Sequence, residues 1–376
     1  MVRLSAPGAV EEEAKGTPRA PHRTKRVLVT GLSTYWGSRL AQALESHPEI
    51  EAIVGVDSSE PMHELERTEF VKVSNQHSLI GRIVRAAELD TVVDTRLIVN
   101  AITASAQLAH ENNVIGTMNI LTACAGADSP VRRFVFKSSC HYYGCEQDDP
   151  AFFTEAMTRP HPPRTAIERD IIEAEAGVAE FAERRSDAAV TVLRCANVLG
   201  PDVVTPHTRM FALPLVPMVL GFDPRYQFVH EDDVVRALEH AVFNDVPGTY
   251  NVAADGVLAL SEVIGLLGKR PLPVLPPWGT GALAAPLRRL GFRIPDEMVN
   301  QLRFGRGVDN RKFKATGFRY EYTTREAVLK FGEHLRLHPV VRGTEPTYTY
   351  EKEVEEFLRR SPHVRRERKD DEPFGL

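Results

Sequence analysis

Between about residues 25 and 200, short unbroken apolar runs alternate with amphipathic stretches. Arg26-Val27-Leu28-Val29-Thr30 reads as a strand buried on both faces, because no polar residue interrupts its apolar middle. Tyr35 to Ser46 follows at helical period. Ala52-Ile53-Val54-Gly55-Val56 predicts a second strand, Phe70-Val71-Lys72-Val73 a third, Thr91-Val92-Val93 a fourth and Arg133-Phe134-Val135-Phe136-Lys137 a fifth. A long helix over 103–125 separates the last two, and Val190-Thr191-Val192-Leu193 is a sixth strand. Strand and helix repeated in this order predict an α/β fold, a Rossmann-type doubly wound parallel sheet with helices on both faces. Ligands of such sheets bind beyond the carboxyl ends of the strands.

After about residue 200 the rhythm breaks. Prolines crowd at 201, 206, 214, 217 and 224 and again at 271, 273, 276 and 277. Short helices over 232–243, 261–267, 324–337 and 350–359 predict a smaller mixed lobe across 201–345, with strands at about 226–252 returned to the first domain of 25–200. Residues 1–24, rich in Pro, Gly and Glu, have no apolar period and read as a disordered tail. Residues 346–376 read as a helix followed by a charged tail.

Composition narrows the classes. Across 376 residues the net charge is −5, which argues against capture of nucleic acid by bulk charge. No apolar run approaches the ~18 residues of a membrane span, and the N-terminus lacks the apolar core of a secretory signal. The four cysteines, Cys124, Cys140, Cys145 and Cys195, have neither disulfide-framework nor zinc-site spacing, so a cytoplasmic protein with free thiols and no bound metal is expected.

The chemistry begins after the first strand. Gly31-Leu32-Ser33-Thr34-Tyr35-Trp36-Gly37 joins strand to helix, which collects free backbone N–H groups and the positive end of a helix dipole at one point. A pyrophosphate fits there. Gly31 permits the tight turn and Gly37 the close packing of helix on strand. Thr34 stands at the middle glycine of G-x-x-G-x-x-G, where its side chain crowds a pyrophosphate while its hydroxyl offers it a hydrogen bond. Asp57 ends the second strand, 26 residues after Gly31. A carboxylate there accepts from ribose hydroxyls and repels a 2′-phosphate, favouring NAD over NADP.

Later segments carry a family resemblance. Asn113-Val114-Ile115-Gly116-Thr117-Met118-Asn119, Ser138-Ser139-Cys140-His141-Tyr142-Tyr143-Gly144, Leu193-Arg194-Cys195-Ala196-Asn197-Val198-Leu199-Gly200-Pro201, Phe228-Val229-His230-Glu231-Asp232-Asp233-Val234 and Gly248-Thr249-Tyr250-Asn251-Val252 occur in order. They resemble the extended short-chain dehydrogenase/reductase family, the NAD-dependent epimerases and dehydratases, and within it a UDP-glucose 4-epimerase-like branch. The resemblance implies NAD on the Rossmann domain, a nucleotide sugar under the second lobe, and a homodimer through the helices at 103–125 and 165–185. It also implies a Tyr-x-x-x-Lys pair after strand five. There the tyrosinate moves the substrate's proton, the lysine lowers the tyrosine pKa, and a serine holds the same hydroxyl.

Ser139 stands in the serine position, but the pair is replaced. The pattern P-x-Y-x-x-x-K-x-x-x-E falls on Pro163 to Glu173, which puts Thr165 at the tyrosine and Arg169 at the lysine. A threonine hydroxyl titrates too high to be a base, and an arginine stays protonated. Arg169, one helical turn from both Thr165 and Glu173, is then expected to be held by Glu173 and to anchor the cofactor. Asp94-Thr95-Arg96-Leu97 puts bulk and charge where the family has small residues beside the dinucleotide, and Ser74-Asn75 replaces an acid after strand three. His141 and Tyr142, flanking Ser139, are candidate substitute bases. Asn197, Arg303 and Arg306 match positions that contact the sugar nucleotide, and His230 a structural one. Two readings remain open: an epimerase/dehydratase-like enzyme with a displaced base, or a catalytically silent NAD- or nucleotide-binding homologue acting as a regulatory or partner subunit. Asp57 speaks against a third, an NADP-linked reductase.

Overall fold

The computed structural model describes residues 25–73, 77–99, 104–126, 128–274 and 296–337. The expectations for 1–24, Ser74-Asn75, the helix at 350–359 and the charged tail lie outside these residues.

The chain opens with β1 (Arg26–Thr30), α1 (Tyr35–Glu45), β2 (Ala52–Asp57), β3 (Thr68–Lys72), α2 (His77–Ala86) and β4 (Thr91–Asp94). Next come α3 (Ala106–His110), a π-helical turn at Glu111–Gly116 and α4 (Thr117–Cys124), so the expected long helix is helical almost throughout but underwound in its middle. Then follow β5 (Arg133–Ser139), a 3-10 turn at Cys140–Tyr143, α5 (Ala166–Arg184) and β6 (Ala189–Cys195). Beyond these lie β7 (Asn197–Leu199), α6 (Pro206–Ala212), β8 (Leu215–Val219), β9 (Arg225–Tyr226), β10 (Phe228–His230), α7 (Glu231–Phe243) and β11 (Gly248–Val252).

Seven strands form one sheet in the order β11-β6-β5-β4-β1-β2-β3, and every adjacent pair is parallel. Of the strands expected to return from 226–252, β11 joins this sheet; β9 and β10 pair elsewhere, in small sheets of their own. Strand alternation sorts the core onto two faces. Val27, Val29, Val93, Val135 and Leu193 meet α1 and α7 through Leu40, Leu44, Val234 and Leu238. Leu28, Val54, Val92, Phe134 and Phe136 meet α2, α4 and α5 through Ile80, Val84, Ile120 and Ile171. A third cluster, around Phe211, Tyr226, Phe228, Ile264 and Val328, holds the later elements together. The strand order reverses direction between β1 and β4, which opens a crevice at their carboxyl ends.

Among the described residues no helix is long and apolar enough to cross a membrane.

Candidate active site

The turn between β1 and α1 is tight. Gly31 has φ +87°, a conformation that side chains rarely adopt. A Cβ on Gly37 would lie 2.3 Å from the Gly31 carbonyl oxygen, so only glycine lets the helix start this close to the strand. Thr34 caps α1. Its Oγ1 accepts from Gly37 N–H at 3.2 Å and donates to the Gly31 carbonyl at 2.7 Å. The hydrogen expected to reach a pyrophosphate is therefore spent inside the turn, because a threonine N-cap satisfies an otherwise orphaned helix N–H. Tyr35 also departs from expectation. Its ring is buried against Trp36 and His63, and its hydroxyl lies near Arg39 and Glu231 rather than at the mouth of the turn. Trp36 turns the other way, into a cavity at the end of β5.

Asp57 is fixed by the same turn. Its Oδ2 accepts from Ser33 N–H at 2.8 Å and Ser33 Oγ–H at 2.7 Å, and its Oδ1 from Ser58 N–H at 2.6 Å. Ser33 thus acts through the acid. A cleft of about 130 Å³ opens beside Asp57, lined also by Thr30, Val73, Arg96 and Asn112. The bulk expected after β4 is present: a Cβ on Gly31 would fall 2.7 Å from Arg96 Cγ. Arg96 is locked to the buried Asp94 through Nε–Oδ1 at 3.0 Å and Nη2–Oδ2 at 3.1 Å. Burial alone would raise the Asp94 pKa, but the guanidinium outweighs it and holds the carboxyl ionised. The cation therefore stays beside the glycine turn.

A second cavity, about 100 Å³, lies at the carboxyl ends of β5 and β6. Ser139, His141 and Asn197 line it, as does Lys137, a residue the motif comparison passed over. His207 from α6 and Gln301 from the helix Asp296–Gln301 close the far wall. His207 Nε2 and both amide atoms of Gln301 are buried and make no hydrogen bond of ordinary geometry among the described residues. Buried polar atoms without partners cost about 1–3 kcal/mol each, and a ligand in the cavity would supply the missing bonds.

Other expectations are corrected. Thr165 is the N-cap of α5, its Oγ1 accepting from Glu168 N–H at 3.1 Å. Arg169 is exposed and makes no ion pair with Glu173, which is exposed one turn on; two solvated side chains gain too little from pairing to be held. Tyr142 does not line the cavity beside Ser139; the Arg194 guanidinium lies 3.5 Å from its ring centre. Arg303 lies over Phe222 and Phe304, outside the cavity. Arg306 is buried and donates to the Gly144 carbonyl at 2.9 Å, close enough to bear on both cavity histidines. His230 caps α7, as its structural reading implied.

Burial, then the Arg306 charge, pushes His207 down to about 3 and His141 well below the usual histidine value. His141 is therefore neutral at pH 7 and a weak base. An unfolded histidine titrates near 6.5, so below that pH the unfolded chain takes protons that the folded one refuses. Stability present above pH 6.5 is lost as pH falls, at up to about 1.4 kcal/mol per pH unit for each such group. Asp233, raised by burial to about 6, works in the opposite direction below that pH. Urea unfolding at pH 7.5 and 5.5 should show His207→Gln with a smaller loss than the parent by roughly 1 kcal/mol; equal losses would remove His207 from the account.

The order of glycine turn, strand-end acid and serine at the β5 turn matches one family. A model of the NAD dependent epimerase/dehydratase family covers residues 27–253. The chain belongs to that family. An uncharacterized protein of Mycobacterium tuberculosis is 36% identical over 329 residues, covering 85% of this chain and 87% of that protein. Among solved structures, UDP-glucose 4-epimerase of Thermotoga maritima with UDP-glucose aligns at TM-score 0.64 and 21% identity, over 83% of this chain and 98% of its own. UDP-glucuronic acid 4-epimerase of Bacillus cereus with NAD aligns at TM-score 0.63 and 15% identity, over 83% and 98%. At those identities the likeness shows the shared Rossmann-type fold.

Proposed function

We propose that this family member binds NAD across the β1–β4 crevice and acts on a nucleotide sugar as an epimerase or dehydratase. Its usual tyrosine and lysine are replaced by Thr165 and Arg169. The observation that carries the reading is the cavity beside Ser139, lined by the buried His207, Gln301 and Asn197, in which His207 Nε2 and both Gln301 amide atoms make no hydrogen bond of ordinary geometry among the described residues. The residues fit a dinucleotide. Asp57 would meet the adenosine ribose, the Gly31–Gly37 turn with Arg96 beside it the pyrophosphate, and Trp36 the end nearer the cavity. Bound NAD supplies a two-electron acceptor for a secondary alcohol. Ser139 Oγ accepts from His141 N–H at 3.2 Å, which leaves its own O–H to hold a substrate hydroxyl. Asn197 and Gln301 offer amides to a sugar or its diphosphate.

Neither Thr165, occupied as a cap, nor Arg169, in solvent, moves a proton at this cavity. Interconversion of UDP-glucose and UDP-galactose, followed by chromatography, should run below the ~1–1,000 per second of ordinary enzymes. Turnover in that range would contradict the weak-epimerase reading. Absence of any change with a panel of UDP- and dTDP-sugars would favour the silent homologue, to which the buried Asp94–Arg96 pair beside the glycine turn already lends weight. The same reading takes the protein as a cytoplasmic homodimer. The exposed Leu108, Ile115 and Met118 on the α3–α4 run supply an apolar face for that contact, and sedimentation as a monomer would remove it.

A further inference from the structure

We propose that Lys137 is the proton-transferring group of this site, in place of the tyrosine that Thr165 replaces. The proposal rests on the site being one for oxidation of an alcohol. Lys137 precedes Ser139 by two positions on β5, so both side chains leave the same face of the strand. Both line the cavity of about 100 Å³. Lys137 is 3% exposed. Its Nζ has no hydrogen-bond or ion-pair partner among the described residues, and its recorded contact is the Trp36 ring, 4.6 Å from the ring centre.

That placement is expensive for a structural residue. An ammonium taken out of water costs several kcal/mol unless paired, and a desolvated cation–π contact returns about 2 kcal/mol of that. None of the described residues lining the cavity is a carboxylate. The titratable groups that face Lys137 are Cys195 from β6, His141 from the 3-10 turn and His207 from α6. Burial keeps the thiol protonated and both imidazoles neutral, so none supplies a fixed negative charge. Burial likewise moves Lys137 below the ordinary lysine pKa. A desolvated lysine of this kind serves as a general base.

The step balances. The substrate O–H held by Ser139 breaks, and its proton passes to the Nζ lone pair, forming an N–H bond. A nicotinamide held in the crevice would supply the two-electron acceptor for the carbinol hydride, which balances oxidation of the alcohol to a carbonyl. In the reverse direction the carbonyl carbon would regain a hydride while Lys137 returns its proton to the oxygen, which closes the cycle.

Cyanate carbamylates neutral amines and, at three atoms, fits the cavity. Potassium cyanate at pH 7, read by peptide mass spectrometry on the full chain, should modify Lys137 at least tenfold faster than the exposed Lys330. Saturating NAD should slow that reaction. Modification at the pace of Lys330 or slower overturns the proposal. In parallel, Lys137→Met should lower formation of reduced cofactor from UDP-glucose about 100-fold or more while leaving the NAD dissociation constant within threefold. A variant that keeps the parent rate also overturns it. If the parent itself oxidises no UDP-sugar, the reading of function fails, and the cyanate rates still decide how Lys137 ionises.

Discussion

Replacing Glu175 with alanine should destabilise the protein by about 3–5 kcal/mol, because it leaves Arg194 buried and uncompensated. Glu175 on α5 and Arg194 on β6 are both 7% exposed at the side chain and joined at 2.6 Å between Nη2 and Oε2. Arg194 Nε also donates to both carboxylate oxygens, at 3.1 and 3.0 Å, and Ser138 Oγ donates to Oε1. From Arg194 the network continues through Nη1 to the Tyr143 hydroxyl at 2.9 Å, and from that hydroxyl to Asn251 Oδ1 at 2.8 Å. One buried pair therefore ties α5, β6, β11 and the turn carrying Ser139 and His141 into a single arrangement. Denaturant unfolding with Glu175→Ala and Glu175→Gln reads the effect. The amide keeps the shape but loses the charge, so it should fall between alanine and the parent. A loss under about 1 kcal/mol for alanine would mean that the pair is solvated like a surface one.

Replacing Asp57 with alanine should weaken NAD binding by at least tenfold, about 1.4 kcal/mol, and abolish any preference over NADP. The acid has two duties. On the proposed reading it presents a carboxylate to the adenosine ribose, and it accepts four hydrogen bonds from Ser33 and Ser58 around the glycine turn. Loss of the first removes repulsion of a 2′-phosphate; loss of the second loosens the turn for both cofactors. Asp57→Asn separates the two in part, since its one amide oxygen still accepts from Ser33 while its NH2 group cannot accept from the Ser58 N–H. It should bind NAD less tightly than the parent but more tightly than alanine. Unchanged discrimination in both variants would place the ribose elsewhere.

The parallel sheet was legible because strands buried on both faces leave unbroken apolar runs, as in Val27-Leu28-Val29 and Phe134-Val135-Phe136. The glycine turn and Asp57 were legible because a strand, a tight turn and a helix leave a local pattern at fixed spacing. What pattern alone missed involves partners distant in sequence. Thr34 reads equally as a phosphate donor or a helix cap, and the Gly31 carbonyl and Gly37 N–H decide for the cap. Tyr142 sits beside Ser139 in sequence, yet Arg194, far along the chain, claims its ring. Arg169 and Glu173 had helix spacing for a pair, but solvent makes that pairing nearly worthless. Lys137 did leave a signal: a lysine closing an apolar strand, two positions before the serine that opens the next turn, shares that serine's face by period two. It was passed over because the family motif places its lysine on the following helix. His207 and Gln301 lie in the later segments, where no motif marks them and tertiary packing brings them to the cavity.

The most direct test of the central claim, that NAD occupies the crevice beside Asp57, is titration calorimetry of the full chain with NAD and with NADP. The account predicts saturable binding of one NAD per chain, at least tenfold tighter than NADP. No saturable binding of NAD, or NADP binding as tightly or more tightly, would contradict it.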